Sequence, residues 1–247
     1  MAKTTGGGLV ASMLAAEGVD TVFGLPDGTY QGLIGGLDRS NIRLITPRHE
    51  SSALHMAAAY ARLTGRLGVA IASNGPGVAN ALPGVAVENA EGNRVLLITS
   101  SRRAGITYPD RGGTYQYFEQ VAVISPMAKW SASVSETDRI PELMRTALRR
   151  SFTGRPGVVH LDVPESIMNG KATPPSIQSP ASYRVIEPLR PRAVDVERAA
   201  ELLAKATLPI IHAGGGVVHA QAFDQLITVA ELLHAPITTS WSGSGSV

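Results

Sequence analysis

No cysteine occurs among the 247 residues, which excludes disulfides, thiolate nucleophiles and cysteine metal sites, and fits the reducing cytoplasm expected for this chain. An excess of one charge is also lacking: 22 lysines and arginines stand against 20 aspartates and glutamates, a formal net charge of +2. The basic residues are dispersed rather than striped along one face, so neither a nucleic-acid partner nor a membrane surface is expected. A long apolar run is missing as well. Met1 to Thr5 leads into Gly6-Gly7-Gly8 and an amphipathic segment, neither a signal peptide nor a membrane span. His212, His219 and His234 lack the spacing of metal ligands, and no metal site is expected on this chain. What remains is an ordinary globular composition, 44% hydrophobic and 17% charged, long enough for one large or two smaller domains.

From Leu9 to Pro164 helical and strand patterns alternate with short turns, which predicts an α/β fold with a doubly wound parallel sheet. Ile140, Leu143, Met144, Ala147 and Leu148 recur at helical spacing, so residues 141–150 form a helix with Pro141 in its tolerated first turn. Arg155-Pro156-Gly157 breaks that helix, and Val158 to Val163 reads as a strand ended by Pro164. The first domain is therefore placed at residues 1–168. A linker follows at 169–191, since prolines stand at 174, 175, 180, 188 and 191 and no periodicity is sustained. Residues 192–247 carry part of a second, Rossmann-like α/β unit: a helix over 196–206, a strand over 208–212, a turn at Gly214-Gly215-Gly216, a helix over 220–234 and a strand over 236–239. Two parallel strands do not make a free-standing sheet, so this unit is expected to be completed by something else. Ser242 to Ser246 also reads as a flexible linker.

Within the first domain, four unusual segments follow strand patterns and so reach one sheet edge, where open α/β sheets bind ligands. Gly24-Leu25-Pro26-Asp27-Gly28 follows residues 21–23, Pro47-Arg48-His49-Glu50 follows 42–46, Asn74-Gly75-Pro76-Gly77 follows 67–73, and the loop holding Gln116 follows 95–99. Glu50 stands where the strand pattern gives way to a helix pattern over 51–65. Its carboxylate either complements that helix N-terminus or serves the crevice. Gly75-Pro76-Gly77 allows a close backbone approach at a helix start.

These residues resemble a known family. Val22-Phe23-Gly24-Leu25-Pro26, Arg48-His49-Glu50, Ala58 to Gly65, Gly75-Pro76-Gly77-Val78-Ala79-Asn80 and Gly154 to Pro164 occur in the order found in thiamine-diphosphate enzymes of the acetolactate synthase kind. The resemblance covers the family's pyrimidine-binding domain and, from Ala199 to Gly245, the first half of its central domain. It implies that Glu50 hydrogen-bonds the aminopyrimidine of thiamine diphosphate and drives the imino tautomer that takes the thiazolium proton. Such a carboxyl group must be desolvated enough to share a proton with a weakly basic nitrogen. Ala53, Leu54 and Ala57 offer apolar walls. The resemblance further places Pro26, Ser73, Pro76, Gly77 and Asn80 around the pyrimidine, His49 beside the reacting centre or as a plain turn residue, and Gln116 on a glycine-hinged loop reaching towards coenzyme and substrate.

Two positions depart from the family pattern. Tyr117 follows Gln116 where an acidic residue is usual, and Asp27-Gly28 replaces Gly-Gly. Asp27 and Gly28 therefore either meet the substrate or form an Asp-Gly turn for conformational reasons. Arg102, Arg103 and Arg111 either meet an anionic substrate or are solvated loop charges. No Gly-Asp-Gly run occurs. In the family that run anchors magnesium and the diphosphate, so the resemblance implies a second polypeptide carrying the Mg2+ site and the rest of the central domain, in a heterotetramer. The expected activity is decarboxylation of a 2-oxo acid with acyl transfer, on a small-molecule substrate. A 2-hydroxyacyl-CoA or acyloin lyase and a non-catalytic binding homologue are the alternatives. FAD at the Gly214-Gly215-Gly216 turn follows only from relatives that bind it.

Overall fold

The computed structural model describes residues 4–103, 114–173, 175–187 and 189–247. Met1 to Lys3, Arg111, the Gly112-Gly113 hinge, Pro174 and Pro188 lie outside the described residues. The chain forms two compact units, one through Ile186 and one from Glu187.

The first unit opens with strand β1 (Thr4–Thr5) and helix α1 (Gly6–Ala16). Then β2 (Thr21–Gly24), α2 (Gln31–Arg39), β3 (Arg43–Ile45), α3 (Glu50–Thr64), β4 (Gly68–Ala72), α4 (Pro76–Glu91) and β5 (Val95–Ser101) follow in strict alternation. After these come α5 (Gln120–Ile124), β6 (Trp130–Ser133), α6 (Ile140–Phe152), β7 (Val158–Pro164), the short α7 (Glu165–Met168) and β8 (Lys171–Ala172). Six strands form one sheet in the order β3-β2-β4-β5-β7-β6, every pair parallel. The doubly wound sheet expected from the alternation is therefore present.

The sheet is covered on both faces because its central strands are apolar on both. Alternate residues point opposite ways along a strand. Val69, Ile71, Leu96, Ile98, Val159 and Leu161 meet α1, α2 and α6, while Ala70, Ala72, Val95, Leu97 and Val158 meet α3, α4 and α5. On that second side small residues bring two helices close. Ser51 Oγ donates to the Asn80 carbonyl at 2.5 Å. Leu54 packs where a Gly84 side chain would stand, and His55 Nδ1 meets the buried Glu88 at 2.5 Å. Thus one turn of α3 is joined to three successive turns of α4. Both end at a left-handed glycine, Gly65 (φ 70°) and Gly92 (φ 72°), the residue type that adopts this conformation without strain.

Two stretches of the expected linker, Lys171–Ala172 and Tyr183-Arg184, pack on the first unit. β8 pairs antiparallel with β1, and Arg184 reaches the fully buried Glu17 side chain at 2.7 Å. Its guanidinium also lies 3.7 Å from the centre of the Phe152 ring.

The second unit contains α8 (Ala193–Ala204), β9 (Ile211–Ala213), α9 (Gly215–Ala220), α10 (Phe223–Leu233) and β10 (Ile237–Thr239), with β9 and β10 parallel. β9 starts three residues later than the apolar pattern suggests, beyond Pro209, which has no N–H for a ladder. Within the range 220–234 expected as helical, Phe223–Leu233 is one helix, and a separate helix over Gly215–Ala220 stands where a turn was expected, the two divided at Gln221, whose φ is 51°. Residues 241–246 form a turn rather than a loose linker: Ser240 caps Gly243 at 3.1 Å, and Ser246 is buried. No helix among the described residues is long and apolar enough to cross a membrane.

Candidate functional site

The connections after β2 and β4 leave in opposite directions, one to β3 and one to β5, which opens a crevice at the carboxyl ends of these neighbours. The segments after β2, β3 and β4 converge there. Glu50 begins α3 and is only 9% exposed. Asn80 Nδ2, one turn into α4, donates to Glu50 Oε2 at 3.1 Å. The other oxygen, Oε1, looks onto Gly77, where a Cβ would stand 3.2 Å from Oε1 and 3.2 Å from the Ser73 Cβ. The missing side chain of Gly77 therefore leaves a cradle directly over a buried carboxylate oxygen. As a first-turn acid Glu50 also complements the α3 N-terminus, so the two sequence readings of this residue are compatible.

Gly75 precedes Pro76, which takes the first position of α4, where its missing N–H costs nothing. With φ at 64° and a Cβ that would fall 2.5 Å from the Gln116 Cα, position 75 accepts glycine alone. That contact seats the Gln116 backbone on the same turn. Pro26, Pro76 and Asn80 are exposed at this edge, and Ser73 and Gln116 are half-buried.

Asp27 is half-buried and caps the turn at Gly28–Tyr30: its Oδ1 accepts from the Thr29 N–H at 2.8 Å and the Thr29 hydroxyl at 2.5 Å. Burial pushes its carboxyl up, but hydrogen bonds from Thr29, Ser73 and the Gly28 N–H outweigh this and hold it below the ordinary range. Tyr30, not singled out in the sequence, is buried beside it and donates to the Leu25 carbonyl. Burial, then Asp27 and Glu50, push its phenol above the usual value, so it stays protonated and anchors the β2 loop.

The other sequence candidates fall into place around this core. His49 is exposed, and its Nδ1 accepts from the Ser51 N–H at 3.2 Å, which makes it the N-cap of α3. Leu54 and Ala57 pack into the core against Gly84 and Gly68. Arg102 pairs with Glu165 at 3.2 Å, and Arg103 is exposed. Gly214 precedes α9, and Gly215 and Gly243 pack against Ser242 and Ala213 of the same unit, which accounts for those two glycines.

A buried polar cluster adjoins the crevice that the sequence reading overlooked. Gln120, 4% exposed, accepts from the Gly75 N–H at 2.8 Å through Oε1. Its Nε2 donates to the Ser100 carbonyl and to Asp162 Oδ1, both at 2.9 Å. Thr99 donates to Asp162 Oδ1 and meets His160 Nε2, each at 2.8 Å, while Ser131 meets His160 Nδ1 at 2.6 Å and Ser133 donates to Asp162 Oδ2 at 2.9 Å. Since the one Thr99 hydrogen goes to Asp162, the proton of His160 sits on Nε2. The visible signal was two polar residues, His160 and Asp162, at a spacing of two within an apolar strand. A cavity of 460 Å³ borders this cluster, lined among others by Ser101, Arg102, Phe118 and Ser166.

Burial lowers the His160 pKa to about 3. Above about pH 6.5 neither folded nor unfolded chain carries this proton. Below it the unfolded chain is protonated first, so stability is lost as pH falls towards 3, by up to about 1.4 kcal/mol per unit. Asp162, raised by burial against its hydrogen bonds, has the opposite sign. Urea unfolding of the wild type and His160→Gln between pH 7 and 5 is therefore compared, and the wild type is expected to show the steeper loss.

A buried carboxylate thus faces a bare glycine at the switch point of a parallel sheet, the place where open α/β sheets bind ligands. Residues 4–123 match the family "Thiamine pyrophosphate enzyme, N-terminal TPP binding domain", and residues 196–247 match the family "Thiamine pyrophosphate enzyme, central domain". The chain belongs to the thiamine pyrophosphate enzymes. It is 31% identical over 240 residues to the probable acetolactate synthase large subunit of Methanocaldococcus jannaschii, covering 96% of this chain and 40% of that protein. It is 32% identical over 248 residues to the acetolactate synthase large subunit of Corynebacterium glutamicum, covering 99% and 39%. With the acetolactate synthase isozyme 3 large subunit of Escherichia coli the identity is 30% over 254 residues, covering 100% and 43%. The chain thus spans about 40% of the length of the curated relatives it matches.

Proposed function

We propose that residues 1–247 provide the pyrimidine side of the active site of a thiamine-diphosphate-dependent enzyme that decarboxylates a 2-oxo acid and transfers the acyl group, as acetolactate synthases do. The observation that carries this reading is Glu50 Oε1, buried and facing the Gly77 cradle, with Oε2 held by Asn80. A flat heteroaromatic ring fits over a bare glycine as it fits over no larger residue. When bound, thiamine diphosphate would supply a thiazolium carbon that is acidic and, once deprotonated, nucleophilic towards the carbonyl of a 2-oxo acid. Glu50 holds and exchanges a proton at Oε1 with the pyrimidine nitrogen. Asn80 keeps the carboxyl group in plane, and Gly77 lets the ring approach. Gln116, seated on the Gly75 turn, extends the site to the substrate side, with Asp27 and Gly28 opposite and His49 at the entrance.

Among the described residues no group of three or more histidine, aspartate, glutamate or cysteine side chains is disposed to hold a metal ion. In this reading Mg2+ and the two phosphates are held by a second polypeptide that also completes the central domain, two copies of each chain making a heterotetramer in the cytoplasm. Gly216 has open space where a side chain would stand, and no step is assigned to a flavin. The test is to supply labelled 2-oxo acids to the assembled holoenzyme with magnesium, and to follow carbon dioxide release and the ligated product. Absence of both, with coenzyme bound, overturns the reading. Asp27→Gly is expected to change the relative rates among 2-oxo acids by about tenfold, one well-placed interaction, without slowing proton exchange on the coenzyme.

A further inference from the structure

We infer that Gln120 and Asp162 are positioning residues, which set the Gly75 turn and through it the distance between Gly77 and Glu50. The inference rests on the coenzyme reading of Glu50. Gly75 has φ 64° and ψ −114°, and no side chain caps the helix that follows. Its buried N–H needs a partner, and it finds one in Gln120 Oε1, carried by the separate helix α5. Two residues further on, the bare Cα of Gly77 faces Glu50 Oε1. A shift of the turn therefore changes the depth of the cradle.

Gln120 could present either end of its amide to Gly75. The Ser100 carbonyl and Asp162 Oδ1 are both acceptors, each 2.9 Å from Nε2, and they force Oε1 towards the Gly75 N–H. Asp162 is itself 4% exposed, and its described partners are neutral: Thr99, Ser101, Ser133 and Gln120. A buried carboxylate without a cation is costly. Here that cost fixes one amide orientation at the back of the coenzyme crevice.

The test uses the full enzyme that contains these residues. In Gln120→Glu, the protonated side chain keeps a carbonyl for Gly75 and an O–H for Asp162, whereas the ionised one donates nothing and repels Asp162. Besides Asp162, the titratable or charged groups around this position are His160, reached through Thr99, and Arg102 and Glu119 on the wall of the adjoining cavity. Relative to wild type at each pH, thiazolium-proton exchange in Gln120→Glu is expected to rise about tenfold from pH 8 to pH 6, the worth of one charge-assisted hydrogen bond. A ratio flat with pH overturns the inference.

Asp162→Asn is isosteric and lets the Gln120 amide turn. The coenzyme concentration for half-maximal activity is expected to rise about fivefold with no fall in melting temperature, and an unchanged value overturns the part assigned to Asp162. This second variant carries the test if Gln120→Glu does not fold. Glu50→Gln is measured alongside. Normal exchange in that variant defeats the coenzyme reading itself, whereas lost exchange there with a flat ratio in Gln120→Glu defeats only the present inference.

Discussion

Glu50→Gln is expected to slow turnover of the assembled enzyme by about a hundredfold or more, the usual contribution of a general acid-base group, while leaving the fold unchanged. The argument follows from which oxygen does what. Asn80 Nδ2 needs an acceptor and now has Glu50 Oε2. In the amide variant the single oxygen turns to Asn80, and the NH2 group is left facing Gly77. An amide at that point neither accepts nor returns a proton at the coenzyme ring. Size, burial and the Asn80 hydrogen bond all survive, so the urea midpoint should stay within the error of measurement. Turnover and exchange of the thiazolium proton are the quantities to measure, and exchange at the wild-type rate would remove Glu50 from the chemistry.

Glu17→Ala is expected to destabilise the first unit by about 3–5 kcal/mol, the cost of stripping one partner from a buried ion pair. The Glu17 side chain is fully buried, and it accepts from Arg184 Nε at 3.0 Å, from the terminal Arg184 nitrogen at 2.7 Å and from the Tyr183 hydroxyl. Arg184 and Arg94 both lie against the Phe152 ring, at 3.7 and 4.5 Å. Burial, and then Arg184, already push the Arg94 pKa down. Without Glu17 two guanidinium groups would share one aromatic ring with their repulsion uncompensated. Because whole domains are stable by only about 5–15 kcal/mol, urea unfolding should show a large drop in midpoint. A change below about 1 kcal/mol would fit a solvated surface pair instead.

The architecture was legible where burial is two-sided. Val95 to Thr99 and Val158 to Val163 are apolar runs between turn signals, and both are central strands. β6 was not read, since Trp-Ser-Ala-Ser at a sheet edge is half-exposed and carries no strong pattern. Gly214-Gly215-Gly216 was read as a turn, yet Gly215 opens a short helix that ends at Gln221 in a left-handed conformation with no glycine to announce it. At the site, the glycine turns and Glu50 were readable because each stands where a strand pattern ends. Tyr30, Gln120 and Asp162 were not, since a buried polar group declares its role only through partners distant in sequence. Gln120 and Gly75 are 45 residues apart.

The three ties between α3 and α4 divide labour within the crevice. Glu50 sits on one of these helices and Asn80 on the other, so the acid and its hydrogen-bond donor travel together, while Gly77 beside them also follows the Gly75 turn. Asp27 and Gly28 lie on a loop outside both helices. In the proposed reading, replacing that loop is expected to change which 2-oxo acid is preferred while proton exchange on the coenzyme stays as it was.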